Sequence, residues 1–201
     1  MPTKRRDAAL NNERLIRAAR EVFAARGLSA TLEDIAKHAG VGVGTIYRNF
    51  ASKQEIVESL YDAAIDSALA EAAEALQIED PWEAIRTFFE VIAARQAQDR
   101  GLHERLGNSG PNEGTASRLL DTLAPLFERA SAARVLRDGV TVTDVTPIFA
   151  MLNAVYGMSE SNPELWRRYL TVILDGLRAI DRPALPVPPM DAAAFTAALG
   201  A

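Results

Sequence analysis

Cysteine is absent from the 201 residues, and histidine occurs only twice. The first absence excludes a disulfide framework, a thiolate-bound zinc and a thiol nucleophile. His38 and His103 each stand without a cluster of ligands, and LHERLG at 102–107 lacks the second histidine of a metalloprotease helix, so no metal site is expected. No G-x-S-x-G elbow occurs either. Catalysis and cofactor chemistry are left without residues to carry them, and neither an enzyme nor a cofactor is expected. Long apolar runs are also missing. Nothing approaches the roughly 20 residues of a membrane-spanning helix, and the basic opening MPTKRRDAALNNERL lacks the apolar stretch of a secretory signal. These features predict a cytoplasmic protein with no membrane partner.

What is present is unevenly distributed. The net charge is −5, yet residues 1–53 carry ten Lys/Arg against five Asp/Glu, leaving twelve against twenty-two for the rest. A basic head on an acidic body suggests that the head meets a polyanion; the other reading is charge drift on solvated helix faces.

Helical periodicity runs through almost every segment, with no convincing alternating strand, so the chain reads as all-α. A first helix spans about Asn12 to Arg26, with Leu15, Ala19, Val22 and Phe23 inward and Gly27 after its end. Thr31 caps a second helix, with Asp34 placed to return the bond. Ser52 and Glu55 form another capping box, opening a long helix from Lys53 to about Leu76. Pro81 begins a helix that turns Trp82, Ile85, Phe89 and Ile92 inward. GNSGPNEG at 107–114 reads as a loop. Further helices are expected at about 115–133, 143–158 and 163–180, the last capped by Asn162 with Pro163 at its first position. The tail DRPALPVPPM is extended, and the Ala-rich stretch after it is helical or frayed. The domain boundaries that follow are 1–52, 53–182 and a tail at 183–201.

The stretch GVGVGTIYRNF at 40–50 decides between two functions. A dinucleotide loop must leave a buried strand and open a helix, but this one follows TLEDIAKHA, an amphipathic helix. A Walker loop would need Lys before Thr45. A helix-turn-helix accounts for the glycines instead: Gly40 takes the turn, Gly42 starts the next helix, and Gly44 leaves a groove-facing surface without a side chain. Ile35, Val41 and Ile46 would fill the small core between the helices.

Residues 15–57, LIRAAREVFAARGLSATLEDIAKHAGVGVGTIYRNFASKQEIV, resemble the DNA-binding domain of the TetR family of transcriptional regulators. The resemblance rests on AAREVFAARG, DIAKHAGV and GTIYRNFASK in order. It implies a three-helix head with a helix-turn-helix at about 31–50, on a larger helical body that binds an effector and dimerises. It also implies DNA contacts at Thr31, Gly42, Val43, Gly44, Thr45, Tyr47, Arg48, Asn49 and Lys53, with Thr31, Tyr47 and Lys53 on phosphates and the rest on the recognition helix. The chemistry suits those roles: Arg forks to guanine, Asn to adenine, and a Thr methyl meets a thymine methyl. Gly42 stands where the family often has a Ser cap, and Val43 where it often has a polar residue, so apolar contact is expected at Val43. Lys4, Arg5 and Arg6 resemble a disordered arm that tracks a groove, or are a solvated terminus.

The body carries two further expectations. The helices at 143–158 and 163–180 are apolar almost all round, which implies burial on two sides. Double-stranded DNA with a palindromic operator mirrors a two-fold protein, so a homodimer is expected through Phe149, Leu152, Trp166, Leu170, Ile173 and Leu177. A small-molecule effector, largely apolar and possessing an anionic or hydrogen-bonding end, is expected near Phe89, His103, Phe127, Met151, Asn153 and Tyr156, with Arg86 and Arg105 as further polar fixtures. The alternative is that these aromatics only fill the core. Together the features predict a repressor released by its effector; the rival readings are an enzyme or ligand carrier on the same body, and a non-specific DNA binder.

Overall fold

The computed structural model describes residues 3–99, 113–158, 162–179, 183 and 185–199. His103, Arg105, Ile180 and residues 107–112 of the expected loop therefore lie outside the described residues. The elements are α1 (Thr3–Arg26), α2 (Leu32–Ala39), α3 (Val43–Asn49), α4 (Lys53–Ala75), α5 (Pro81–Gln98), α6 (Glu113–Ala132), α7 (Val145–Gly157), α8 (Leu165–Leu177) and α9 (Ala192–Leu199). Among the described residues the only β pairing is an isolated bridge between Leu136 and Arg178. No described helix is long and apolar enough to cross a membrane.

Among the described residues the chain forms two compact units, the first of residues 3–64 with 98–99 and the second of the rest, with the main division between Ala64 and Ile65. This division falls inside α4, later than the expected boundary at 52/53. Ile56 and Val57, on the first turns of α4, are buried in the core of the head, which explains the shift.

In the head, Leu15, Ala18, Ala19, Val22 and Phe23 of α1 bury one face against Ile35, Ala36 and Ala39 of α2 and Ile46 of α3. α1 starts at Thr3, nine residues before its expected start. Residues 3–26 contain neither glycine nor proline, so nothing stops the helix from extending backwards. The backbone of Lys4–Arg6 is thus helical, which corrects the expected arm. Thr31 caps α2 in a reciprocal box with Asp34. Gly40 ends that helix in the left-handed region at φ 66°, and the Val41 N–H reaches back to the Ala36 carbonyl at 3.0 Å, closing the last turn. At α4 the expected box is only half reciprocal. Ser52 Oγ accepts from the Glu55 N–H at 3.2 Å, but the Glu55 carboxylate takes the Ala51 N–H at 2.6 Å in place of that of Ser52.

In the body, Asp80 Oδ1 accepts the N–H groups of Trp82 and Glu83 at 2.8 and 3.0 Å, with Pro81 between cap and helix. Trp82, Ile85, Phe88, Phe89 and Ile92 of α5 join Leu123, Leu126 and Phe127 of α6, Ile148, Leu152 and Val155 of α7, and Trp166, Leu170 and Leu174 of α8 in one core. α6 already begins at Glu113, inside the expected loop. α8 is shorter than expected at both ends. Asn162–Glu164 form a turn before it, and Arg178 leaves the helix with ψ 139° to pair with the segment at Leu136. The Arg137 N–H then donates to the Leu177 carbonyl at 2.8 Å and the Ala179 N–H to that of Val135 at 2.9 Å. This non-local pairing takes the Leu177 carbonyl and the Ala179 N–H that a longer helix would have used.

The tail belongs to the body. Arg137 donates to the Pro183 carbonyl through Nε and Nη2 at 3.0 and 2.6 Å, and Thr143 Oγ1 donates to the Met190 carbonyl at 3.0 Å. Asp191 caps α9 through the Ala194 N–H at 2.7 Å, and Phe195 is buried. The Ala-rich stretch is therefore helical.

Candidate nucleic-acid interface and effector region

α3 is held by one buried residue, Ile46, and by the turn at Gly40. On the opposite side, Val43 and Tyr47 form one i, i+4 ridge and Gly44 and Arg48 the next. All four are exposed, and a Cβ placed at Gly42 or Gly44 would meet nothing within 4 Å. Thr45 and Asn49 are half-buried at the edge of this face. Two polar side chains fold back onto the helix: Arg48 Nε donates to the Gly44 carbonyl at 3.1 Å and Asn49 Nδ2 to that of Thr45 at 2.6 Å. Arg48 keeps its Nη1 and Nη2 donors for another partner, and Asn49 keeps its second Nδ2 hydrogen and Oδ1.

The expected phosphate contacts are more occupied. Thr31 Oγ1 accepts the Asp34 N–H at 3.1 Å while donating to Asp34 Oδ2 at 3.0 Å. Arg26 pairs with the other carboxylate oxygen of Asp34 at 2.7 Å. The Arg26 guanidinium first, then the N–H and hydroxyl of Thr31, hold the Asp34 carboxyl down at about 2. Lys53 Nζ donates to the Leu28 carbonyl and lies 5.7 Å from the centre of the Phe23 ring, so its ammonium also secures the head. Tyr47 is 56% exposed and projects freely from the recognition face. The sequence reading missed the Arg26–Asp34 pair and the contact of His38 Nε2 with Glu21 Oε2 at 2.6 Å, which ties α2 to α1. The first was within reach, because Asp34 was already placed as a capping residue beside the last turn of α1.

The expected effector residues divide. Phe89 and Phe127 meet edge to face with centroids 6.5 Å apart, and Phe89 lies 5.4 Å from Phe149. Tyr156 is buried, with its hydroxyl donating to the Ala93 carbonyl at 2.9 Å; burial pushes its pKa up, so the phenol stays protonated. Asn153 shares the α7 face of Phe149 and Tyr156 by its spacing. Met151 does not join them. It lies two residues from both Phe149 and Asn153, which turns it to the far side of α7, where it is 54% exposed. Arg86 is committed to Glu83 and Glu90. Gln96, not singled out in the sequence, is buried on α5 in register with Phe89. A polar residue recurring on an apolar helical face was its signal.

The expected dimer residues are largely spent within one chain. Leu152, Trp166 and Leu170 are buried in the core of their own chain, and Phe149, Ile173 and Leu177 are half-buried against it. The breadth of the apolar face on α8 thus reflects burial on one side by its own chain. What remains outward is Tyr169 and Val172, 43% and 60% exposed, with Met151 on α7 and Met158 just after its end.

A three-helix head with an exposed recognition helix, joined in sequence to a larger helical body, defines a helix-turn-helix regulator class. Residues 15–60 match the tetR family of bacterial regulatory proteins, and residues 80–179 match the C-terminal domain of SbtR-like transcriptional regulators. The chain is 32% identical to a TetR transcription regulatory protein from Mycobacterium vanbaalenii, with a TM-score of 0.56 over 87% of this chain and 98% of that one. A TetR transcriptional regulator from Streptomyces coelicolor superposes with a TM-score of 0.58 at 28% identity, over 84% and 98% of the two chains. The HTH-type transcriptional regulator SrpR of Pseudomonas putida is 38% identical over 50% of this chain, a match that spans about half (54%) of the relative. The chain belongs to the TetR family of transcriptional regulators.

Proposed function

We propose that this chain is a homodimeric repressor that reads a palindromic operator with α3 and leaves it when a small molecule occupies the body. The observation that carries this reading is the exposed face of Val43, Gly44, Tyr47 and Arg48, backed by buried Ile46. A side-chain-free Gly44 beside Arg48 lets the helix approach base edges closely while the guanidinium reaches guanine. Tyr47 and Lys53 are assigned to phosphates, which position the head without reading sequence. Tyr169 and Val172 are assigned to the subunit contact.

Release follows from differential affinity: an effector that binds the DNA-incompetent arrangement more tightly shifts the population toward it. α4 runs unbroken from Lys53 to Ala75 and contributes residues to the cores of both units, so it is the element through which that bias passes. The test is enrichment of genomic fragments by the purified protein, followed by footprinting. A shared two-fold symmetric motif is expected, with binding at least about a thousandfold tighter than to random DNA. Equal affinity for both would remove the sequence-specific reading.

A further inference from the structure

The polar groups of the body narrow the chemistry of the effector, given the reading of the body as the effector-binding part. α5 carries Phe89, Ala93 and Gln96 at i, i+4 and i+7, and α7 carries Phe149, Asn153 and Tyr156 at the same spacing. The two faces meet. The Phe89 and Phe149 rings lie 5.4 Å apart, and further along the Tyr156 hydroxyl holds the Ala93 carbonyl at 2.9 Å. A buried seam of this kind is normally apolar or fully paired. This one is neither. Gln96 is 6% exposed and its Oε1 has no hydrogen-bond partner; Oδ1 of half-buried Asn153 is equally shielded from solvent and has none. Unpaired buried amides destabilise a fold, and leucine at either position would relieve that.

We propose that Gln96 and Asn153 are the polar fixtures of the effector site, and that the effector is an uncharged molecule whose apolar body carries a hydroxyl, phenol or carboxamide. An amide can turn to present either its acceptor or its donors, but it cannot balance a charge. A carboxylate brought among Phe88, Phe89 and Phe149 without a cation would bear its full desolvation cost. Among the described residues, three arginines on the surrounding helices are committed elsewhere: Arg86 to Glu83 and Glu90, Arg95 to Ser67 and Glu71, Arg118 to Asp66. Arg129 retains two buried donors without partners, Nε and Nη2. It is bound to the Leu76 carbonyl, which precedes α5, whereas Gln96 lies in the last turn of α5. Arg129 is therefore where an anionic effector would be held instead.

Two measurements on the full chain test the proposal. Without ligand, Gln96→Leu and Asn153→Leu should each keep the helical circular dichroism and raise the melting temperature by a few degrees. A fall in melting temperature, or loss of the fold, would make the amides structural and overturn the proposal. With ligand, 4-heptylphenol and 4-heptylbenzoate present the same apolar body with a neutral or an anionic end, and the fluorescence of Trp82 and Trp166 together with thermal shift reports their binding. The phenol should bind the wild type at least about tenfold more tightly, and the preference should vanish in the double leucine variant. Tighter benzoate binding that Arg129→Gln abolishes would overturn the uncharged effector while leaving an effector-binding body intact. Binding of neither probe would overturn the seam as a site for such molecules, whereas the effector reading stands or falls on release of the operator by a small molecule.

Discussion

Replacing Gly44 with Ala should separate folding from DNA binding. Gly44 lies in the first turn of α3 with nothing within 4 Å of the position a Cβ would take, so the methyl meets no obstacle within the chain. Glycine in a helix is less favourable than alanine by roughly 0.5–1 kcal/mol, so the variant head should be more stable by up to about that amount. The same methyl would stand on the surface that approaches the operator. Losing close approach at one base pair should weaken operator binding by about 1–3 kcal/mol, or about five- to 150-fold. Gly40→Ala is the control. Its φ of 66° is left-handed, which costs a non-glycine residue roughly 1–2 kcal/mol, and the nearest atom is the flexible Arg14 Nη2 at 3.2 Å, so little steric cost is added. Gly40→Ala should therefore lower stability without a specific effect on operator recognition once the protein is folded. Urea denaturation followed by circular dichroism, with fluorescence anisotropy on the enriched operator, measures both quantities. A Gly44→Ala head less stable than the wild type, or one that binds the operator unchanged, would refute this account of α3.

Four further outcomes follow from the same geometry. Arg48→Ala should lose about 1–3 kcal/mol on the operator, with its preference relaxed at one base pair and random DNA little affected, and equal losses on both DNAs would take it off the bases. Lys53→Met should weaken all sequences alike and reduce the salt slope of binding by about one, while lowering thermal stability through loss of the Leu28 contact; an unchanged slope in the titration would exclude a phosphate role. Asp34 has its pKa depressed in the fold, from 3.8 to about 2, so its contribution is complete above the higher value and is lost as pH falls through the lower; the stability gap between wild type and Asp34→Asn should close as pH drops from about 4 to about 2, and a pH-independent gap in acid titrations would contradict this. Val172→Glu should yield a folded monomer in sedimentation, whereas Leu170→Glu should unfold the body by burying a charge in its core; a Val172→Glu protein that stays dimeric would exclude this face of α8.

The features that could be read from the sequence are those whose causes are local. Thr31, Asp34 and Gly40 specify the ends of α2 within a few residues of themselves, and the turn geometry they demand places α3 wherever the rest of the chain goes. The opening of α1 escaped because its end is set by what fails to interrupt it, and the close of α8 because Arg178 answers to Leu136, some forty residues earlier. The same distinction separates the two candidate sites. Exposure of Val43, Gly44, Tyr47 and Arg48 follows from one anchored residue, Ile46, and helical spacing. For α7 and α8, spacing gives only the number of apolar residues, and the direction of each face depends on which helix packs against it. Leu152, Trp166 and Leu170 are consumed by their own core, while Met151 and Val172 are left outside it. An apolar face is evidence for a partner only after the chain's own packing has been subtracted, and the outward pair Tyr169 and Val172 is what remains after that subtraction on α8.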